Sequence, residues 1–180
     1  MGIIDKDFEE ILTSQIVSTI GGILVGTIIA IYTDQLLLIP GMLILLPGFL
    51  EMRGNISGSF ASRLSSGLFL GLINPKKIKS HLIKGNLEGS FLQALVVSLC
   101  LGIVAFLFNV FLLKIYIFEI IFAPIIAAVI ANMIEIPITL IVTLYLFRKG
   151  HDPNNIMGPF VTAMGDITSV LSLLFVLVVI

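Results

Sequence analysis

Residues 91–113 read FLQALVVSLCLGIVAFLFNVFLL, a run of 23 residues without a charged side chain. A helix needs about 20 consecutive apolar residues to cross the hydrocarbon core of a bilayer. The rest of the 180-residue chain has the same character, since 58% of all residues are hydrophobic and 12% are charged. Soluble domains carry roughly 25% charged residues, and one soluble core cannot bury so much apolar surface. The composition therefore indicates an integral membrane protein.

Four further apolar segments flank this run, at residues 15–33, 36–70, 115–147 and 156–180. Residues 36–70 are too long for one clean span and are interrupted by Pro40, Pro47, Gly54 and Gly58. The predicted fold is an all-α integral membrane protein with five transmembrane helices, the second of them bent or broken between Pro47 and Gly58. We expect residues 1–14 to form a short amphipathic cytoplasmic segment before a five-helix membrane domain at residues 15–180.

The orientation follows from the lysines and arginines near the predicted helix ends, which collect on the cytoplasmic side of membrane proteins. Seven basic residues fall on one side, namely Lys6, Lys76, Lys77, Lys79, Lys84, Arg148 and Lys149. Only Lys114 falls on the other side. The sequence therefore predicts a multi-pass protein with its N-terminus inside and its C-terminus outside.

Several classes of function lack their sequence signals. The formal net charge is −1, so nothing in the charge balance indicates nucleic-acid binding. The sequence contains no HExxH or CxxC metal motif, no Walker A loop and no G-x-S-x-G nucleophile motif. Its single cysteine, Cys100, lies inside an apolar run and is expected to act as a small hydrophobic residue.

Five ionisable residues lie inside the predicted spans, at Glu51, Arg53, Arg63, Glu135 and Asp166. Each costs at least about 2.5–3.5 kcal/mol at the centre of a bilayer, and such groups usually mark an ion or substrate pathway. A structural alternative is that Glu51 pairs with Arg53, or that Arg63 reaches the lipid headgroups.

Polar residues accompany the two carboxylates of the last spans. Helical spacing places Thr162 and Ser169 on one face with Asp166, and Asn132 on one face with Glu135. Asn55 supplies a further amide in the second span. Oxygen ligands without sulfur or imidazole favour a hard cation such as Mg²⁺.

Two stretches carry a resemblance to a known family. Residues 47–65 read PGFLEMRGNISGSFASRLS, and residues 152–168 read DPNNIMGPFVTAMGDIT. The first resembles the G-N…A-S-R-L-S/T segment of MgtE-type magnesium transporters, and the second is similar to the D-P-x-N…P…T-x-x-G/S-D run of the same family. With Asn132 in span four, the resemblance covers the five-helix membrane domain, as in stand-alone prokaryotic forms and in each half of the eukaryotic solute carriers.

The resemblance implies a transporter rather than an enzyme, located in the cell membrane and in contact with its lipid. Its transported ion would be Mg²⁺, with Mn²⁺ and Co²⁺ as further candidates, and Asp166 would be the central pore ligand in a homodimer. We place Asn55, Thr162, Ser169, Glu135 and Asn132 as further metal-site residues. The large cytosolic sensing region of the familiar bacterial members has no counterpart before the first span, so gating by such a domain is not expected.

Three alternatives stay open at the level of sequence. Glu135 and Asp166 would also suit an exchanger driven by Na⁺ or H⁺. As an acid pair they would suit an intramembrane hydrolase, although no nucleophile is evident. The chain would also suit a membrane subunit that transports nothing itself.

Overall fold

The computed structural model describes residues 3–77 and 80–179, with side chains from Asp5 onward, and every regular element in these ranges is helical. The α-helices are α1 (Ile3–Ile31), α2 (Thr33–Leu36), α3 (Met42–Phe69), α4 (His81–Phe108), α5 (Glu119–Arg148) and α6 (Pro153–Val179). A five-residue π-helix, Asn109–Leu113, continues α4. Lys79, one of the predicted cytoplasmic lysines, lies outside the described residues.

Helix α6 lies at the centre of the arrangement, in contact with α1, α3 and α5. Helix α4 covers α3 and α5 on the other side. The main apolar core forms where these helices meet and includes Phe49 of α3, Ala127 of α5 and Leu173 of α6, each fully buried. Helix α1 is the outermost, with many apolar side chains exposed, as expected of a helix that faces lipid.

Hydrogen bonds hold several loops and helix ends together at one end of the bundle. Lys6 Nζ donates to the Gly150 carbonyl (2.6 Å), and Arg148 Nε donates to the Pro75 carbonyl (2.6 Å). These contacts join the start of α1, the α3–α4 loop and the α5–α6 loop. We call this the basic end, since its described lysines and arginines are Lys6, Lys76, Lys77, Lys84, Arg148 and Lys149.

Four helices in the described part of the chain are long and apolar enough to cross a membrane. They are α1 from Asp5, α4 with its π-helical continuation, α5 and α6. The chain is therefore a membrane protein, although the sequence predicted five crossings. Helix α3 has 28 residues, which at 1.5 Å per residue is long enough to span, but it carries three of the charged residues discussed above.

The second predicted span is interrupted, but not where the sequence predicted. Helix α3 runs without a break through Pro47 and Gly58, so the span is not broken between them, and a bend there stays a prediction. Glycine lowers helix propensity by only about 1 kcal/mol, which tertiary packing overrides, and Gly58 packs against α6, where a Cβ would lie 3.9 Å from the side chain of Val161. The interruption lies at residues 37–41, between α2 and α3.

The acidic start of α1 is continuous with the rest of that helix, which has no break at residue 14. The predicted apolar face is exposed in the single chain, with Phe8 at 64%. The opposite face docks on the α5–α6 loop, where a Glu10 carboxylate oxygen lies 2.8 Å from His151 Nδ1 and the Ser14 hydroxyl donates to the Asn155 carbonyl.

A side-chain contact fixes the break before α3. Gly41 has φ +84°, a conformation that costs an L-residue roughly 1–2 kcal/mol. The buried Asn109 donates through Nδ2 to the Pro40 carbonyl (2.6 Å), and its Oδ1 would lie 1.9 Å from a Cβ on Gly41. The end of α4 therefore holds the start of α3 at a position that only glycine fits.

We expect Gly41→Ala to lower the melting temperature of the detergent-solubilised protein substantially. The control is Gly71→Ala, since Gly71 has φ +70° but open space around its Cβ position. Both variants incur the left-handed backbone cost, and only Gly41→Ala adds the overlap with Asn109, worth roughly 1–3 kcal/mol more. Equal destabilisation by the two variants would contradict this account.

Candidate functional site

Helices α3 and α6 line an open cavity of about 370 Å³, and each helix contributes one carboxylate to it. Its lining residues are Pro47, Leu50, Glu51, Gly54 and Asn55 of α3, with Thr162 and Asp166 of α6. Asp166 lies in the middle third of α6, and Glu51 lies ten residues into α3. The cavity is therefore well away from the helix ends.

The polar lining comes from one helical turn on each side. On α3, Asn55 Nδ2 donates to Glu51 Oε1 at 3.0 Å, which orients the amide and leaves its oxygen available. On α6, the Thr162 hydroxyl donates to the Gly158 carbonyl at 3.1 Å, so its lone pairs are also available. The cavity thus offers carboxylate, amide and hydroxyl oxygens.

The cavity opens on the surface of the single chain. Glu51, Asn55 and Thr162 are exposed, and Asp166 is partly exposed. The exposed polar stripe continues along α3 through Ser59 and Ser62. Such a row of polar groups is unfavourable against lipid, because charged and polar side chains within a membrane face the bundle interior, a water-filled cavity or another protein surface.

A buried ion pair lies on the other side of α3. Arg53 is fully buried and donates hydrogen bonds to Asn132 Oδ1 and Glu135 Oε2 of α5. Asn132 and Glu135 are each only 1% exposed. The suggested pairing of Arg53 with Glu51 is wrong, because residues two apart point to opposite sides of a helix.

Helix α6 separates the ion pair from the cavity. Its backbone at Gly165 lies against the Glu135 carboxylate, since a Cβ there would be 2.9 Å from Glu135 Oε1. The next residue, Asp166, lines the cavity. Ser169, one turn beyond Gly165, is fully buried and turned away from the cavity. The cavity and the ion pair are thus neighbours across one helix.

The buried side is rich in polar atoms without a hydrogen-bond partner in the described part of the protein. These atoms are Arg53 Nε, Asn132 Nδ2 and Ser169 Oγ. Arg63, nearer the basic end, is bonded differently: it donates to Asn86 Oδ1 (2.7 Å) and Ser90 Oγ (2.8 Å) of α4.

The structure therefore brings together three of the six residues singled out from the sequence, namely Asp166, Asn55 and Thr162. Asn132 and Glu135 lie at the ion pair, and Ser169 points into the core. Sequence reasoning missed Glu51 as a member of the cavity. The i, i+4 spacing of Glu51 and Asn55 was the available signal, because it puts both on one face of a helix.

The cavity supplies few direct ligands for a bare ion. Within residues 3–77 and 80–179 no group of three or more His, Cys, Asp or Glu side chains is arranged to hold a metal. Two carboxylates with neutral oxygens nearby suit a cation that keeps several of its waters. This is how Mg²⁺ is usually bound in proteins.

Comparison with known proteins adds an independent line of evidence. The model of the MgtE family, described as a divalent cation transporter, matches residues 46–176. That range contains the whole cavity and the ion pair. No curated protein and no solved structure matches the chain. The family match covers well over half of the chain, and the chain therefore belongs to the MgtE family of divalent cation transporters.

Proposed function

We propose that the protein carries Mg²⁺ across the cell membrane as a homodimer, through a site centred on Asp166. The observation that carries this proposal is the cavity that Glu51 of α3 and Asp166 of α6 line together. Two carboxylates at the level of the membrane interior are costly unless they serve an ion. A divalent cation transporter has a direct use for them.

Size and ligand type favour a hydrated magnesium ion. Mg²⁺ demands octahedral oxygen coordination and sheds water reluctantly. Six waters occupy roughly 180 Å³ at roughly 30 Å³ each, and the cavity holds about 370 Å³. In this arrangement Asp166 and Glu51 attract the ion, while Asn55 and Thr162 hydrogen-bond its waters. Ser169, Asn132 and Glu135 lie behind the lining of the cavity and are not ligands of the ion.

The exposed polar stripe on α3 supports the homodimer. Glu51, Asn55 and Ser59 would face lipid in a single chain. A second copy related by a two-fold axis, the commonest symmetry of homo-oligomers, covers the stripe with the same stripe. The two cavities then face each other and form one polar pathway between the subunits.

The arrangement of helix ends supports five crossings with the N-terminus inside. Helix α3 begins beside the end of α4, through Pro40 and Asn109, and finishes next to the α3–α4 loop at the basic end. It therefore runs the full height of the bundle with the four apolar helices. The basic end is cytoplasmic by the positive-inside rule, which puts the end of α6 outside.

We expect Asp166→Asn to abolish Mg²⁺ uptake into proteoliposomes, with at least a hundred-fold loss of flux, because it removes a charge and keeps the side-chain size. The matched control is Asp34→Asn, the same change in the short helix α2 away from the cavity, which should transport like the wild type. Unimpaired flux through Asp166→Asn would overturn the Asp166-centred site. Flux that required a Na⁺ or H⁺ gradient would favour the exchanger.

Cross-linking tests the dimer. In a Cys100→Ser background, we expect Ser59→Cys to give a covalent dimer with a bifunctional thiol reagent, since the α3 stripe faces its copy. Val96→Cys is the control, because Val96 is 54% exposed on α4 and away from the stripe. Dimers through residue 96 alone, or a monomer in nanodiscs that retains flux, would refute the proposed interface.

A further inference from the structure

We infer that Glu135 sets the charge environment of the cation site by neutralising Arg53. Without Glu135, the buried guanidinium would repel the cation at Asp166. This inference rests on the proposed function, and it gives Glu135 a positioning and electrostatic role in place of direct ligation. It makes the ion pair part of the transport machinery rather than only a link between helices.

The positive charge of Arg53 is permanent. A guanidinium is not deprotonated in proteins, whereas a buried carboxylate or lysine can discharge itself by proton exchange. Arg53 is 0% exposed, so water does not screen it directly. Among the described residues, the carboxylate within salt-bridge distance of Arg53 belongs to Glu135. The balance of charge in this part of the core therefore depends on that one side chain.

The ion pair is close enough to act on the cavity. The Glu135 carboxylate contacts the α6 backbone at Gly165, and Asp166 follows directly in sequence. Arg53 belongs to the same helical turns of α3 as Glu51 and Asn55, which line the cavity. At an effective dielectric constant of about 20, a unit charge within about 10 Å of a divalent cation changes the binding of that cation at least about ten-fold.

Stability alone is a poor explanation for the pair. A buried ion pair contributes little net stability, because the desolvation of both charges offsets their attraction. Here the network is also incompletely bonded, since Arg53 Nε and Asn132 Nδ2 have no partner in the described part of the protein. Such a network is less stable than an apolar core of the same volume. Its presence beside the cavity is explained if it serves the cation.

The test measures Mg²⁺ flux against concentration in proteoliposomes for Glu135→Gln and for the double variant Arg53→Gln/Glu135→Gln. We expect Glu135→Gln to raise KM about ten-fold or more, with maximal flux within about three-fold of wild type, because only attraction for the ion is lost. The double variant removes both charges but keeps two amides that can hydrogen-bond between α3 and α5, so its KM should return to within about three-fold of wild type. A purely structural pair is also rescued by the double change, but its single variant would lower the yield of folded protein and the maximal flux rather than raise KM.

A second variant tests the same idea with the opposite sign. Asn132→Asp is isosteric and places a second carboxylate on Arg53. Two neighbouring carboxylates hold a proton more tightly, so KM is measured at about pH 8.5, where it should fall at least about three-fold. A damaged fold does not improve affinity, and this variant carries the test if Glu135→Gln fails to give monodisperse protein.

Three results would overturn the inference: a normal KM in Glu135→Gln, a double variant as impaired as the single one, or an unchanged or raised KM in Asn132→Asp. Normal flux in Asp166→Asn would instead overturn the proposed site itself.

Discussion

The ion pair between Arg53 and Glu135 is the interaction on which the rest of the arrangement depends. It joins α3 to α5 near the middle of both helices, in a region where an unpaired charge would be very costly. Because Arg53 points inward to meet its partner, the residues two positions away on α3 point outward. Glu51 and Asn55 are thereby fixed on the surface that forms the cavity. One buried contact thus decides which side of α3 is polar and open.

The position of Glu135 also constrains α6, which forms the other wall of the cavity. Its backbone approaches the Glu135 carboxylate at Gly165, where a larger residue would collide. That approach fixes the rotation of α6, so that Asp166 and Thr162 face α3. The result is a cavity with a net negative lining, backed by a neutral ion pair. Under the proposed function, a hydrated divalent cation in this cavity would be attracted by the two carboxylates and would not be repelled by the neutral ion pair.

Much of this was predictable from the sequence, because hydrophobic runs and motifs are local signals. The long apolar segments predicted the helices, and the motifs around Asn55 and Asp166 singled out residues that line the cavity, while their role at a metal site stays a prediction. The break before α3 was not predicted, since it depends on a contact between Gly41 and Asn109, which are 68 positions apart. The pairing of Arg53 with Glu135, 82 residues away, could not be predicted from the sequence either. The spacing of residues in the sequence predicts which side chains share a helix face, whereas the partner of a buried side chain depends on how the helices pack.

Imaging the ion is the most direct measurement of the central claim. The structure of the protein in lipid nanodiscs should be determined by electron cryomicroscopy in two samples, one with Mg²⁺ and one with a chelator. The account predicts a two-fold dimer whose α3 stripes face each other, with density for a hydrated ion beside the Asp166 carboxylates only in the Mg²⁺ sample. A dimer with these cavities facing lipid, or an ion bound elsewhere along the pathway and none at Asp166, would contradict it.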